Sequence, residues 1–160
     1  HGGGHESGLR SSTINLPAIV GFAKAAQIAI KNFEQENKKL CELRDYLIKN
    51  IPKIVSDCHL NGHPTNRLSN NVNFSFDHVE GESLLLELDF YGIEVSTGSA
   101  CSSNTLEASH VLLATGLRPE QAHGSLRFSL GRFTTKSDVD YLLKVLPQVV
   151  NKFRQISPFK

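Results

Sequence analysis

The sequence predicts an α+β fold (α/β two-layer): a small, mostly antiparallel sheet with helices on one side. Three observations predict it. Strand-like stretches are separated by helical ones without strict strand–helix–strand alternation, so a purely parallel sheet is not expected. From Leu16 to about Ile54, apolar residues recur at three- and four-residue steps. Two later stretches, Val72–Phe76 and Ser125–Leu130, alternate apolar and polar residues as half-buried strands do.

The elements follow in order. His1 to Thr13 is rich in glycine and polar residues and has no apolar period. In the long helical stretch Ile19, Phe22, Ala23, Ala26, Ile30 and Phe33 share a face, and Leu40, Leu43, Leu47, Ile48 and Ile51 continue it. This predicts one long helix or two in series, with Pro17 allowed in the first turn and Pro52 near the end. Cys58-His59-Leu60 reads as a short strand and Asn61 to Asn66 as a loop. Glu80 to Phe90 reads as a helix closed by a left-handed cap at Tyr91-Gly92. Ile93 to Ser96 is expected as a short strand, Ser109 to Ala114 as a short helix, and Pro119 to His123 as a helical turn. Lys136 to about Phe153 closes the chain as an amphipathic helix, with Val139, Leu142, Leu143, Leu146 and Val150 on one face.

Composition excludes several function classes. The formal charge is +1 and the basic residues are scattered, so nucleic acid is not an expected partner. No apolar run approaches the ~20 residues of a membrane span, and the start has no secretory signal pattern. Cys41, Cys58 and Cys101 are an odd count at wide spacing. They imply a reducing compartment, the cytoplasm first, with the mitochondrial matrix or a plastid as alternatives. No cysteine pair has CxxC spacing, and the 7 histidines show no ligand spacing, so no metal site is expected. The chain contains no methionine, which reads as a piece of a longer protein.

Three features could carry chemistry. Cys101 lies in Ser96-Thr97-Gly98-Ser99-Ala100-Cys101-Ser102-Ser103-Asn104, where small turn-forming residues predict an exposed loop. A reachable thiol can act as a nucleophile or sulfur carrier, although its ordinary pKa near 8.5 requires help from a cation, a helix N-terminus or a base. No such group adjoins it in sequence, and His110 and His123 are candidates only in space. The bland reading is an inert surface cysteine. Arg127 sits between Leu126 and Phe128 and so shares a face with Ser125 and Ser129. It is either a surface arginine or a carboxylate clamp, since a guanidinium fork matches a carboxylate. Arg10-Ser11-Ser12-Thr13, just before a helix, is either a cap or a phosphate contact.

Together these pieces resemble the NifS-type cysteine desulfurases, class V members of the fold-type I pyridoxal phosphate enzymes. Gly2-Gly3-Gly4-His5-Glu6 with Arg10-Ser11-Ser12-Thr13 is similar to their GGGHE…RSGT segment. Arg67 to Phe76, Val79 to Leu84, Ser96 to Ser103, Leu106 to Leu112 and Ala122 to Arg132 match further blocks in the same order. The resemblance implies a C-terminal small domain at 16–160, with the cysteine loop at about 96–108. Residues 1–15 would then be the end of the large domain, on the cofactor-phosphate side. It also implies removal of sulfur from L-cysteine, giving L-alanine and a persulfide on Cys101, with pyridoxal phosphate as electron sink. By position Arg127 matches the arginine that holds the substrate carboxylate. Thr13 matches the threonine that reaches the cofactor phosphate of the neighbouring subunit in a homodimer. The implied sulfur acceptor is an iron–sulfur scaffold or another acceptor protein.

Two departures accompany the resemblance. The family's cofactor lysine follows a histidine, and no lysine here does, so this stretch alone is expected to be inactive. Ser12 stands where the family usually has glycine. The rival readings are a persulfide carrier or docking module without catalysis, a selenocysteine lyase of the same fold, and, more remotely, a cysteine hydrolase.

Overall fold

A computed structural model describes residues 3–98 and 108–157. The cysteine loop residues 99–107, Cys101 among them, lie outside the described residues. The chain divides into two compact units, residues 1–36 and 37–160.

In the first unit a short 3-10 turn, His5–Gly8, precedes the start of helix α1 (Leu16–Ile54). Asn15 caps that helix: its side-chain oxygen accepts the backbone N–H of Ala18 at 3.2 Å. The apolar residues in this part of α1, among them Leu16, Ile19, Phe22, Ile30 and Phe33, are exposed.

The second unit carries the sheet. Strands β1 (Cys58–Leu60), β2 (Asn71–Phe76) and β3 (Ser125–Ser129) form an antiparallel sheet in the order β1-β2-β3. Strand alternation divides it into two chemically opposite faces. Leu60, Val72, Phe74, Phe76, Leu126 and Phe128 point one way into the core. There they meet Leu43, Leu47 and Ile51 of α1, and Leu84 and Leu88 of α2 (Gly81–Phe90). Val139, Leu142, Leu146 and Val150 of α5 (Lys136–Ile156) complete the layer. The long α1 is therefore one helix, and the α+β two-layer expectation holds.

Local chemistry sets the remaining ends. Gly92, at φ 71°, follows the end of α2 as the predicted left-handed cap. Thr135 begins α5 with a capping box: its hydroxyl accepts from Asp138 N, while the Asp138 carboxylate accepts from Thr135 N at 2.8 Å. Those bonds hold the Asp138 carboxyl below its usual range. Two short helices, α3 (His110–Ala114) and α4 (Pro119–His123), lead into β3. One expectation needs correcting. Ile93 to Ser96 is not a continuous strand, because the N–H of Ile93 is used on Leu88 O, closing α2. Only Ser96 pairs, as an isolated bridge with Arg127.

Candidate functional site

Of the sequence-predicted site residues, Arg127 lies on the polar face of the sheet. In register, Asn73 lies opposite Arg127, and on the other side of Arg127 lies Ser96. Arg127 and Ser96 exchange both backbone bonds, Arg127 N to Ser96 O at 2.7 Å and Ser96 N to Arg127 O at 3.1 Å. On the far side, Asn61 N donates to Asn73 O at 2.9 Å. The four residues Asn61, Asn73, Arg127 and Ser96 therefore form one row across the sheet, and paired residues share a face. The neighbouring row is His59, Ser75 and Ser125. Helix α4 closes that end, its Ala122 carbonyl accepting from Ser125 Oγ at 2.7 Å.

Arg127 is half-buried. Its Nε is buried without a hydrogen-bond partner, and among the described residues no acceptor pairs with its side chain. A guanidinium without a partner among these residues retains its capacity to donate to an anion.

The backbone on either side of the cysteine loop is fixed close to this row. Ser96 leads to Thr97 and Gly98, and Cys101 follows Gly98 by three residues. A Cβ on Gly98 would lie 3.0 Å from Ser109 Cβ, so the loop's two flanks meet there. Gly81, at the start of α2, permits a second close approach. A Cβ there would stand 2.5 Å from Ser125 O and 3.2 Å from Thr97 Cγ2. A side chain at Gly81 would collide first with the backbone at Ser125 O, and one at Gly98 would press on Ser109.

The other two cysteines differ in kind. Cys41 and Cys58 are free and half-buried. Cys58 donates to Val55 O at 3.2 Å, and burial pushes its thiol pKa up, which disfavours the reactive thiolate.

In the first unit, Arg10 curls over the segment that follows it, donating to Ser12 O at 3.3 Å and Thr13 O at 3.4 Å. Arg10 and Ser12, with His5, Glu6 and Asn15, line an open pocket of about 490 Å³, and the exposed Thr13 lies between two of its lining residues in sequence. Ser12 has φ 90°. That is the left-handed region where glycine is at ease, which gives a physical reason for the glycine expected at this position.

Sequence reasoning singled out Arg127 but missed Asn61, Asn73 and Ser96 as its row-mates. The alternation of Asn71, Asn73 and Ser75 with apolar residues was visible, but the register that sets Asn73 opposite Arg127 was not.

Comparison with known proteins agrees with these blocks. The model of the aminotransferase class-V family matches residues 3–142. The chain is 54% identical over 160 residues to the cysteine desulfurase IscS of Dictyoglomus turgidum, covering 100% of this chain and 41% of that protein. It is 56% identical over 157 residues to cysteine desulfurase IscS 1 of Archaeoglobus fulgidus, covering 98% and 41%. A solved NifS-like protein superposes with TM-score 0.80 at 35% identity, over 95% of this chain and 38% of that one. The chain thus spans about two-fifths of the length of the curated relatives it matches.

Proposed function

The chain belongs to the aminotransferase class-V family, and we propose that it is the part of a cysteine desulfurase that carries the sulfur-accepting cysteine and the carboxylate-binding arginine. The observation that carries this reading is Arg127, whose guanidinium pairs with none of the described residues and whose backbone bridges Ser96, the residue that leads into the Cys101 loop. An amino-acid substrate held there by its carboxylate lies within the same neighbourhood as the flanks of that loop. Cys101, as a thiolate, takes the sulfur of L-cysteine. The substrate carbon–sulfur bond breaks, a sulfur–sulfur bond forms, and L-alanine leaves with the protons, so no external oxidant is required. The persulfide sulfur then passes to an acceptor thiol, on an iron–sulfur scaffold or another sulfur-acceptor protein.

The residues of the first unit fit a phosphorylated cofactor. Arg10, a cation that donates to the backbone carbonyls of Ser12 and Thr13, lines the pocket with Ser12, and cation and hydroxyl together suit a phosphate. We assign Thr13 and this segment to the phosphate of pyridoxal phosphate, in a homodimer to the neighbouring subunit's cofactor. When bound, that cofactor supplies the electron sink that makes the substrate's carbon–sulfur bond cleavable. No lysine in this chain follows a histidine, so this stretch by itself should not turn over cysteine.

The test uses the full-length protein. Cys101→Ala should abolish sulfide and alanine production while the yellow cofactor band persists. Full activity in that variant sinks the assignment. A sulfur mass gain on Cys101 from a persulfide donor, without any alanine from L-cysteine, would instead identify a carrier.

A further inference from the structure

We propose that Asn73 is a second donor of the carboxylate subsite centred on Arg127, aimed by Asn61. This rests on the desulfurase reading above and names a further part of its substrate-binding machinery.

The argument starts at Asn61, which is only 5% exposed. Its Nδ2 donates to Asn73 Oδ1 at 2.6 Å and to Ser75 Oγ at 2.9 Å, and Ser75 Oγ donates back to Asn61 Oδ1 at 3.3 Å. Its carbonyl accepts from Arg67 NH2 at 2.8 Å, and its N–H donates to Asn73 O at 2.9 Å. With Asn61 donating to it, the amide oxygen of Asn73 is turned to the β1 side.

The amide nitrogen of Asn73 is the fork left over. Among the described residues nothing accepts from it. Its cross-strand neighbour is Arg127, with Cβ atoms of such a pair about 4.5–5.5 Å apart. An asparagine placed to satisfy an arginine would turn its oxygen toward it. Here the oxygen is engaged by Asn61, so two donor-bearing side chains occupy paired positions on one face, and neither donates to a described residue. A carboxylate, with about four lone-pair sites, accepts from both at once.

The test is a KM-against-kcat split for L-cysteine in the full-length, cofactor-loaded protein. Asn73→Ala should raise KM about tenfold with kcat little changed. Asn73→Asp is the cleaner variant. It still accepts from Asn61 Nδ2, so the local fold is kept, but it replaces the donor with a carboxylate oxygen that Arg127 would capture. Its KM should rise about a hundredfold. An unchanged KM in Asn73→Asp, with Arg127→Met raising KM, overturns the role of Asn73 alone. An unchanged KM in both variants overturns the carboxylate reading of Arg127 as well.

Discussion

Arg154 and Arg127 are both half-buried arginines in regular elements, yet their surroundings are opposite. Arg154, near the end of α5, uses all three guanidinium nitrogens. Nε donates to Asp77 O at 3.1 Å, NH1 to Ser56 Oγ at 3.4 Å, and NH2 to Ser56 O and Asp57 O at 2.9 Å. It fastens the last helix to the chain just past α1 and to the turn after β2. Arg127 sits mid-strand and donates to no described residue through its side chain. An arginine matched by carbonyls of its own chain is architecture. One left unmatched among hydrogen-bonded neighbours is available to a ligand.

The largest effect on stability should follow from breaking the matched arginine. Arg154→Met removes charge-assisted bonds to three residues at once. Because the site is partly solvated, the expected loss is about 2–3 kcal/mol, read from urea unfolding. A loss below about 1 kcal/mol would mean that those bonds merely replace water, and the contrast between the two arginines would lose its structural half.

Arg67 falls between the two and sharpens the ranking. Its NH2 holds Asn61 O, while its Nε and NH1 are buried without partners. Burial, and after it the nearby Arg44, lowers its pKa. Arg67→Met loses one good bond but also relieves two stranded donors, so the net loss should be about 1 kcal/mol. If unfolding midpoints place it level with Arg154→Met, counting satisfied donors is the wrong measure of what an arginine does here.

This distinction was only partly legible in the sequence. The two-layer fold was, because Leu43, Leu47 and Ile51 recur at helical spacing and Val72, Phe74 and Phe76 at strand spacing, and both periods report one apolar face. Arg127 was legible as a polar-face residue from its place between Leu126 and Phe128. What could not be read was its company. Which residue stands opposite Arg127 depends on register, and register depends on how the chain between β2 and β3 returns, through α2, α3 and α4. The strand expected at 93–96 failed for a similar reason, since Ile93 could complete either a sheet ladder or the end of α2, and the helix took its N–H. The apolar stripe of Ile19, Phe22, Ile30 and Phe33 shows the same limit from the other side. Its period announces a helix face but carries no information about what the face meets.

The smallest change in stability belongs to Arg127→Met, and it is the most demanding test of the contrast. The substitution removes a buried, unpaired Nε–H and keeps the apolar stem that packs along the strand. No hydrogen bond within the described chain is lost with it. Stability should stay within about 0.5 kcal/mol of the parent, or rise slightly. In the full-length protein the same variant should raise the KM for L-cysteine by roughly ten- to a hundredfold, equivalent to about 1.5–3 kcal/mol of charge-assisted bonding. A large loss of stability with KM unchanged would place Arg127 beside Arg154 as architecture. A stable protein that no longer holds the substrate's carboxylate would show the reverse: an arginine that contributes almost nothing to its own fold because its partner arrives from solution.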